Sequence, residues 1–98
     1  MRSSVTDDSM KATLVIVRGQ VQGIGFRYET RMVARSLGLV GWDSNISDGG
    51  VETYDEGTEV AIGKFLQWLQ HGPPGARVTS IDVTERTAGG KYTSFMIE

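Results

Sequence analysis

Ala12-Thr13-Leu14-Val15-Ile16-Val17, followed after Arg18 by Gly19-Gln20-Val21-Gln22-Gly23-Ile24-Gly25-Phe26-Arg27, is the stretch that decides the fold. Its apolar half is too short for a stable helix and runs into a glycine, so it reads as a central strand buried on both faces. Phe26, Thr30, Val33 and Leu37 then recur at helical spacing, with Arg31 and Arg35 on the other face. Gly38 stands where a left-handed cap would end the turn series, which predicts a first helix over about 26–37.

Working outward, Leu39 to Ile46 reads as a strand. Ser47-Asp48-Gly49-Gly50 carries an Asp-Gly hairpin signal into Val51-Glu52-Thr53-Tyr54, so these two strands should be antiparallel. A second helix opens with Thr58 as N-cap and Glu59 in its first turn. Ile62, Phe65, Leu66 and Leu69 form its apolar face, and Gly72-Pro73-Pro74 stops it. Val78, Ile81 and Val83 mark a strand whose uneven spacing predicts a bulge, and Tyr92 to Ile97 forms the last strand after the turn at Ala88-Gly89-Gly90. The expected class is α+β: a ferredoxin-like split β-α-β sandwich, with a five-stranded mixed sheet and two helices on one face. A single domain should cover 11–98, behind a polar, unpatterned tail over 1–10 that is expected to be disordered and in which Met10 offers an alternative start.

The 98 residues include no cysteine, which removes disulfides, thiolate metal sites and thiol nucleophiles and fits a reducing cytoplasm. A formal charge of −2 gives no basic footprint for nucleic acid, and the longest apolar run, Ala12 to Val17, falls far short of a membrane span. A soluble, cytoplasmic monomer acting on a small molecule is expected.

Between the first strand and first helix, Gly19, Gly23 and Gly25 can turn backbone N–H groups toward one point, as in an anion nest. Equally, these glycines can simply make a turn. Arg27 weighs toward the anion. A guanidinium in the first turn meets the positive end of the helix dipole, which costs a few tenths of a kcal/mol up to ~1 kcal/mol unless an anion lies between. Its fork matches phosphate or carboxylate oxygens, although it can also swing out to water. A dinucleotide fingerprint would need glycine where Tyr28 stands, and a nucleotide P-loop would end in Gly-Lys rather than Gly-Phe-Arg.

The segment Gly19 to Arg27 resembles the acylphosphatase signature Gly-x-Val-Gln-Gly-Val-x-Phe-Arg. Gly38-Leu39-Val40-Gly41-Trp42, followed by Asn45, resembles that family's second signature. The likeness continues through Asp48-Gly49-Gly50-Val51-Glu52, Glu56-Gly57, Phe65 to Leu69, Gly72 to Val78 and Phe95-Met96-Ile97, covering nearly everything after residue 11. The resemblance implies hydrolysis of acyl phosphates without metal or cofactor. It makes Gln20, Val21, Gln22, Gly23, Ile24, Gly25, Phe26 and Arg27 the phosphate-binding loop, Arg27 the phosphate ligand, and Asn45 the residue that positions the attacking water.

Without the resemblance, Asn45 near a strand end is most simply the start of the turn at Ser47-Asp48-Gly49. His71 reads as a solvated histidine at a helix end, and no Asp/His cluster suggests a metal. Asp43-Ser44 departs from the family pattern, which has a small aliphatic residue at the first of these positions. Strand alternation puts Asp43 on the face of Asn45. It either lies near the phosphate site or the core, where it repels a dianion or needs a partner or a proton, or a local twist or bulge turns it to solvent or a nearby arginine. Two other classes share the architecture. One is the anion-binding, acylphosphatase-like part of carbamoyl-phosphate-handling maturation factors, which is fused to hundreds of further residues where this sequence is expected to stand alone. The other is an RNA module, disfavoured because the first strand lacks aromatics and Tyr54 alone makes no platform.

Overall fold

The structure, a computed structural model, describes residues 10–98, so the expected tail lies outside the described residues except for Met10. The elements run β1 (Lys11–Gln20), α1 (Phe26–Ser36), β2 (Val40–Asn45), β3 (Val51–Gly57), α2 (Glu59–Leu69), β4 (Arg77–Arg86) and β5 (Phe95–Ile97). They form a five-stranded sheet in the order β4-β1-β3-β2-β5. Every neighbouring pair is antiparallel except β2 with β5, which makes the sheet mixed as the sequence predicts.

Thr13, Val15 and Val17 of β1 and Val51, Thr53 and Asp55 of β3 point to the helix-covered face, as the period-2 alternation of strands requires. There Val15, Val17 and Val51 join Phe26 and Ala34 of α1, Ile62, Phe65 and Leu69 of α2, and Phe95 of β5 in one core. Phe26 packs on Trp68 and Phe65 on Phe95, each pair 6.1 Å between ring centres. Truncating such a ring to alanine costs ~3–5 kcal/mol. Thr30, which faces this core, keeps its hydroxyl satisfied by donating to the Phe26 carbonyl at 2.8 Å. The Thr58 hydroxyl caps α2 by accepting the Ala61 N–H at 3.2 Å, and the Gly72 N–H closes its end on the Trp68 carbonyl at 2.8 Å.

The structure corrects three expectations. β1 is central but not buried on both faces: Leu14 and Ile16 are only half-buried, because both helices cover the other side. The last strand is Phe95–Ile97 rather than 92–97, since Tyr92 leaves the sheet edge to lie across its open face. Tyr54 does not stand alone there. It stacks on Trp42 at 6.2 Å and packs against Tyr92 at 5.5 Å, while the Trp42 indole donates to the Tyr92 hydroxyl. The groove over these rings is bordered by charges of both signs, Glu52, Glu56 and Glu85 with Arg86 and Lys91, so it presents no basic face. The bulge is where β4 was expected to carry it: Arg18 pairs with Ser80 and Gly19 with Val78, leaving Thr79 as the extra residue.

Candidate active site

β1 ends at Gln20, and the chain must reverse to enter α1 within five residues. It does so with Gly23 and Gly25, both at φ 78°, a backbone region that residues with a Cβ rarely enter. Gly25 is the N-cap residue and contributes no side-chain cap. The main-chain N–H groups of Gln22 to Tyr28 therefore donate to no protein acceptor among the described residues, and the positive end of the α1 dipole adds to their field.

Val21, Gly23, Gly25, Phe26, Arg27, Tyr28, Asn45 and Ile97 line a hollow of about 180 Å³ at this helix start. That is smaller than the roughly 300–1,000 Å³ of pockets for drug-sized ligands. Arg27 stands in the first turn of α1, and its Nη1 donates to the main-chain oxygen of Glu98 at 3.1 Å. Its other guanidinium donors bond to no acceptor among the described residues. Asn45 is exposed at the last position of β2, beside Ile97's strand on one side and paired with Val51 on the other. Its side chain forms no hydrogen bond in the turn among the described residues, and the hairpin is closed by others. Ile46 and Gly50 pair through the Ile46 N–H at 2.9 Å, and Asp48 accepts the Gly50 N–H at 3.0 Å. Asp48 also pairs with Arg18, and that bond holds its carboxyl below the usual carboxylate range.

Not every residue of the expected loop faces the hollow. The Gln20 side chain lies at the exposed end of β1, and Ile24 projects outward, 41% exposed. Gln22 braces the loop from behind. Its side-chain amide donates to the carbonyls of Ile46 at 2.9 Å and Gly50 at 2.8 Å, pinning the loop to the β2–β3 hairpin. Val21 and Phe26 form its buried floor. Sequence reasoning missed Tyr28, Ile97 and Glu98. No local signal marks Glu98, 71 positions from Arg27. A signal did exist for the arginines of α1. Arg27, Arg31 and Arg35 recur every fourth position, which puts them on one stripe. Arg35 donates to the Phe95 carbonyl at 3.0 Å and Arg31 lies over the Tyr28 ring at 5.2 Å, so Arg31 and Arg35 do not simply face open water.

Asp43 is not turned to solvent. β2 pairs with β3 in unbroken register from Val40 to Asn45, so no twist or bulge rotates the residue outward. It is 0% exposed, and neither carboxylate oxygen has a hydrogen-bond partner. Burial raises its pKa to about 7, against the opposing pull of the Arg27 and Arg31 charges.

The chain matches the acylphosphatase family model over residues 13–97. It is 47% identical over 82 residues to an acylphosphatase of Acaryochloris marina, spanning 84% of this chain and 87% of that protein. Its fold superposes on the crystal structure of acylphosphatase from Bacillus subtilis with a TM-score of 0.86 at 40% identity, covering 90% and 98% of the two chains. It also superposes on full-length HypF, solved in a phosphate- and nucleotide-bound form, with a TM-score of 0.83 at 27% identity, but there the match is to only 12% of the larger chain. With relatives matched over nearly their whole length and both signature segments meeting at one hollow, the chain belongs to the acylphosphatase family.

Proposed function

We propose that this protein hydrolyses the carboxyl–phosphate bond of small acyl phosphates at the hollow between Gly23 and Asn45. One observation carries the assignment of roles: Arg27, Asn45 and the loop glycines line the same small concavity, and the main-chain N–H groups of that loop have no protein acceptor among the described residues. A phosphoryl group seated there receives donors from the loop and the Arg27 fork, which spread over its non-bridging oxygens as charge redistributes in the transition state. The carbonyl oxygen of the Asn45 side chain accepts a hydrogen bond from water and aims the water's lone pair at phosphorus.

The water oxygen bonds to phosphorus as the phosphorus–oxygen bond to the acyl group breaks. The carboxylate leaves with that electron pair, and the water's proton passes to a phosphate oxygen. Because a carboxylate is a good leaving group, the reaction asks for positioning and charge stabilisation rather than a protein nucleophile, metal or cofactor. All the groups come from one chain, which supports action as a monomer, and a cysteine-free sequence suits the cytoplasm.

Hydrolysis of benzoyl phosphate, with and without a chelator, tests this reading. Arg27→Ala and Asn45→Ala should each lower turnover by at least ~100-fold, in the range seen when one oxyanion-stabilising donor is lost, and the chelator should change nothing. Undiminished turnover in either variant overturns the assigned roles.

A further inference from the structure

Asp43 occupies the inner face of β2, two positions before Asn45, with Thr53 of β3 and Ile97 of β5 as its strand neighbours. Protein surrounds its carboxyl completely and donates nothing to it. A carboxyl in this setting is stable as the neutral acid; once ionised, it must find a cation. The cations whose charges act on it are Arg27 and Arg31 of α1, and Arg27 is the group assigned to the substrate.

We propose that Asp43 is a positioning residue for phosphate binding: as the neutral acid it leaves the Arg27 fork to the substrate, and as the carboxylate it competes with the substrate for that fork. This rests on the reading of Arg27 as the phosphate ligand. The two effects of ionisation have the same sign. An ionised Asp43 attracts the Arg27 guanidinium, and its charge repels a phosphate dianion through protein, where screening is weak. Anion affinity therefore falls as pH rises through about 7, where burial has moved this carboxyl.

Few other groups compete for this role. On α1, Arg35 is engaged by Phe95, and Glu29 lies on the exposed side. On β3, Asp55 is held by hydroxyls, while Glu52 and Tyr54 point to the opposite face of the sheet. β5 is followed by Glu98, an exposed acidic residue whose N–H is bonded to the Asp43 carbonyl and whose main-chain oxygen already holds one donor of the Arg27 fork. The buried faces of β1 and α2 present Thr13, Val15 and Val17 and Ala61, Ile62, Phe65 and Leu69, none of them titratable in this range.

Sulfate is the suitable probe, because it remains a dianion from about pH 5.5 to about pH 8.5 and so contributes no titration of its own. Measured by calorimetry, its dissociation constant should rise roughly tenfold across that range for the wild type, the equivalent of one pKa unit of coupling. Reciprocally, saturating sulfate should move the side-chain carboxyl-carbon NMR titration of Asp43 to higher pH by the same factor, which a merely structural residue would not show. Asp43→Asn should bind sulfate with a flat profile, and Asp43→Val supplies the same measurement if the asparagine variant does not fold. Asp55→Asn should keep the wild-type rise. A wild-type profile in the Asp43 variants overturns the proposal. Arg27→Ala separates it from the reading beneath it: unchanged sulfate binding and turnover in that variant sink the active-site assignment itself, whatever Asp43 does.

Discussion

The inner face of the sheet buries two carboxylates, one at each end, and they are treated differently. Near the β1–β3 end, Asp55 accepts hydrogen bonds from the Thr13 and Thr53 hydroxyls, and burial lifts its pKa to about 6 despite them. Near the active site, Asp43 has no donor at all and only the field of two arginines, and burial lifts its pKa to about 7. Burial raises both, and it is opposed at one end by hydrogen bonds and at the other by charges at a distance. Asp55 is built into the structure by hydrogen bonds; Asp43 lies in the field of the α1 arginines.

The largest test of this contrast is the pH dependence of stability. Both carboxyls bind protons more tightly in the folded than in the unfolded chain, where the ordinary value is 3.8. The folded state therefore holds more protons, and stability falls as pH rises from about 4 through the folded values. Urea denaturation should show a loss on the order of 4 kcal/mol between about pH 5 and about pH 8. A stability that climbs over this range would show that neither carboxyl is held as an acid.

Replacing each residue should split the two ends. Asp43→Val removes a buried group without partners, and at about pH 8 it should raise stability by about 2 kcal/mol with acyl-phosphate turnover equal to or above wild type. Asp55→Ala leaves two buried hydroxyls without their acceptor and should cost about 2 kcal/mol. If both variants lose stability, the two sites are equivalent and the contrast collapses. The smallest effect is expected from Thr13→Val, which takes one donor from Asp55. It should cost about 1 kcal/mol at about pH 8, less at about pH 5, and move the Asp55 titration upward toward that of Asp43, as carboxyl NMR would record.

Much of this arrangement is visible in the sequence, for identifiable reasons. Local chemistry marks the elements: Thr58 as a cap, Asp48-Gly49 as a turn, Gly38 and Gly72 as helix ends. The loop glycines and Arg27 are contiguous, so their meeting needs no tertiary information. What escaped was non-local or two-sided. The partner of Arg27 arrives with β5, and Gln22 in a motif says nothing of the hairpin carbonyls it will reach. Leu14 and Ile16 looked buried because an apolar run cannot tell a helix-covered face from a half-open one. Asp43 was flagged by alternation, but whether it turned out or in depended on the unbroken β2–β3 register.

The bond from Arg27 to Glu98 has a kinetic meaning as well. The hollow draws on the first loop, the first hairpin and the far edge strand, whose parallel pairing with β2 cannot form as a local hairpin. Contacts of such wide sequence separation form against the largest loop-closure entropy. Hydrolysis is thus a reporter of global rather than local order: during refolding, recovery of activity should follow docking of the last strand, after much of the helical signal has returned.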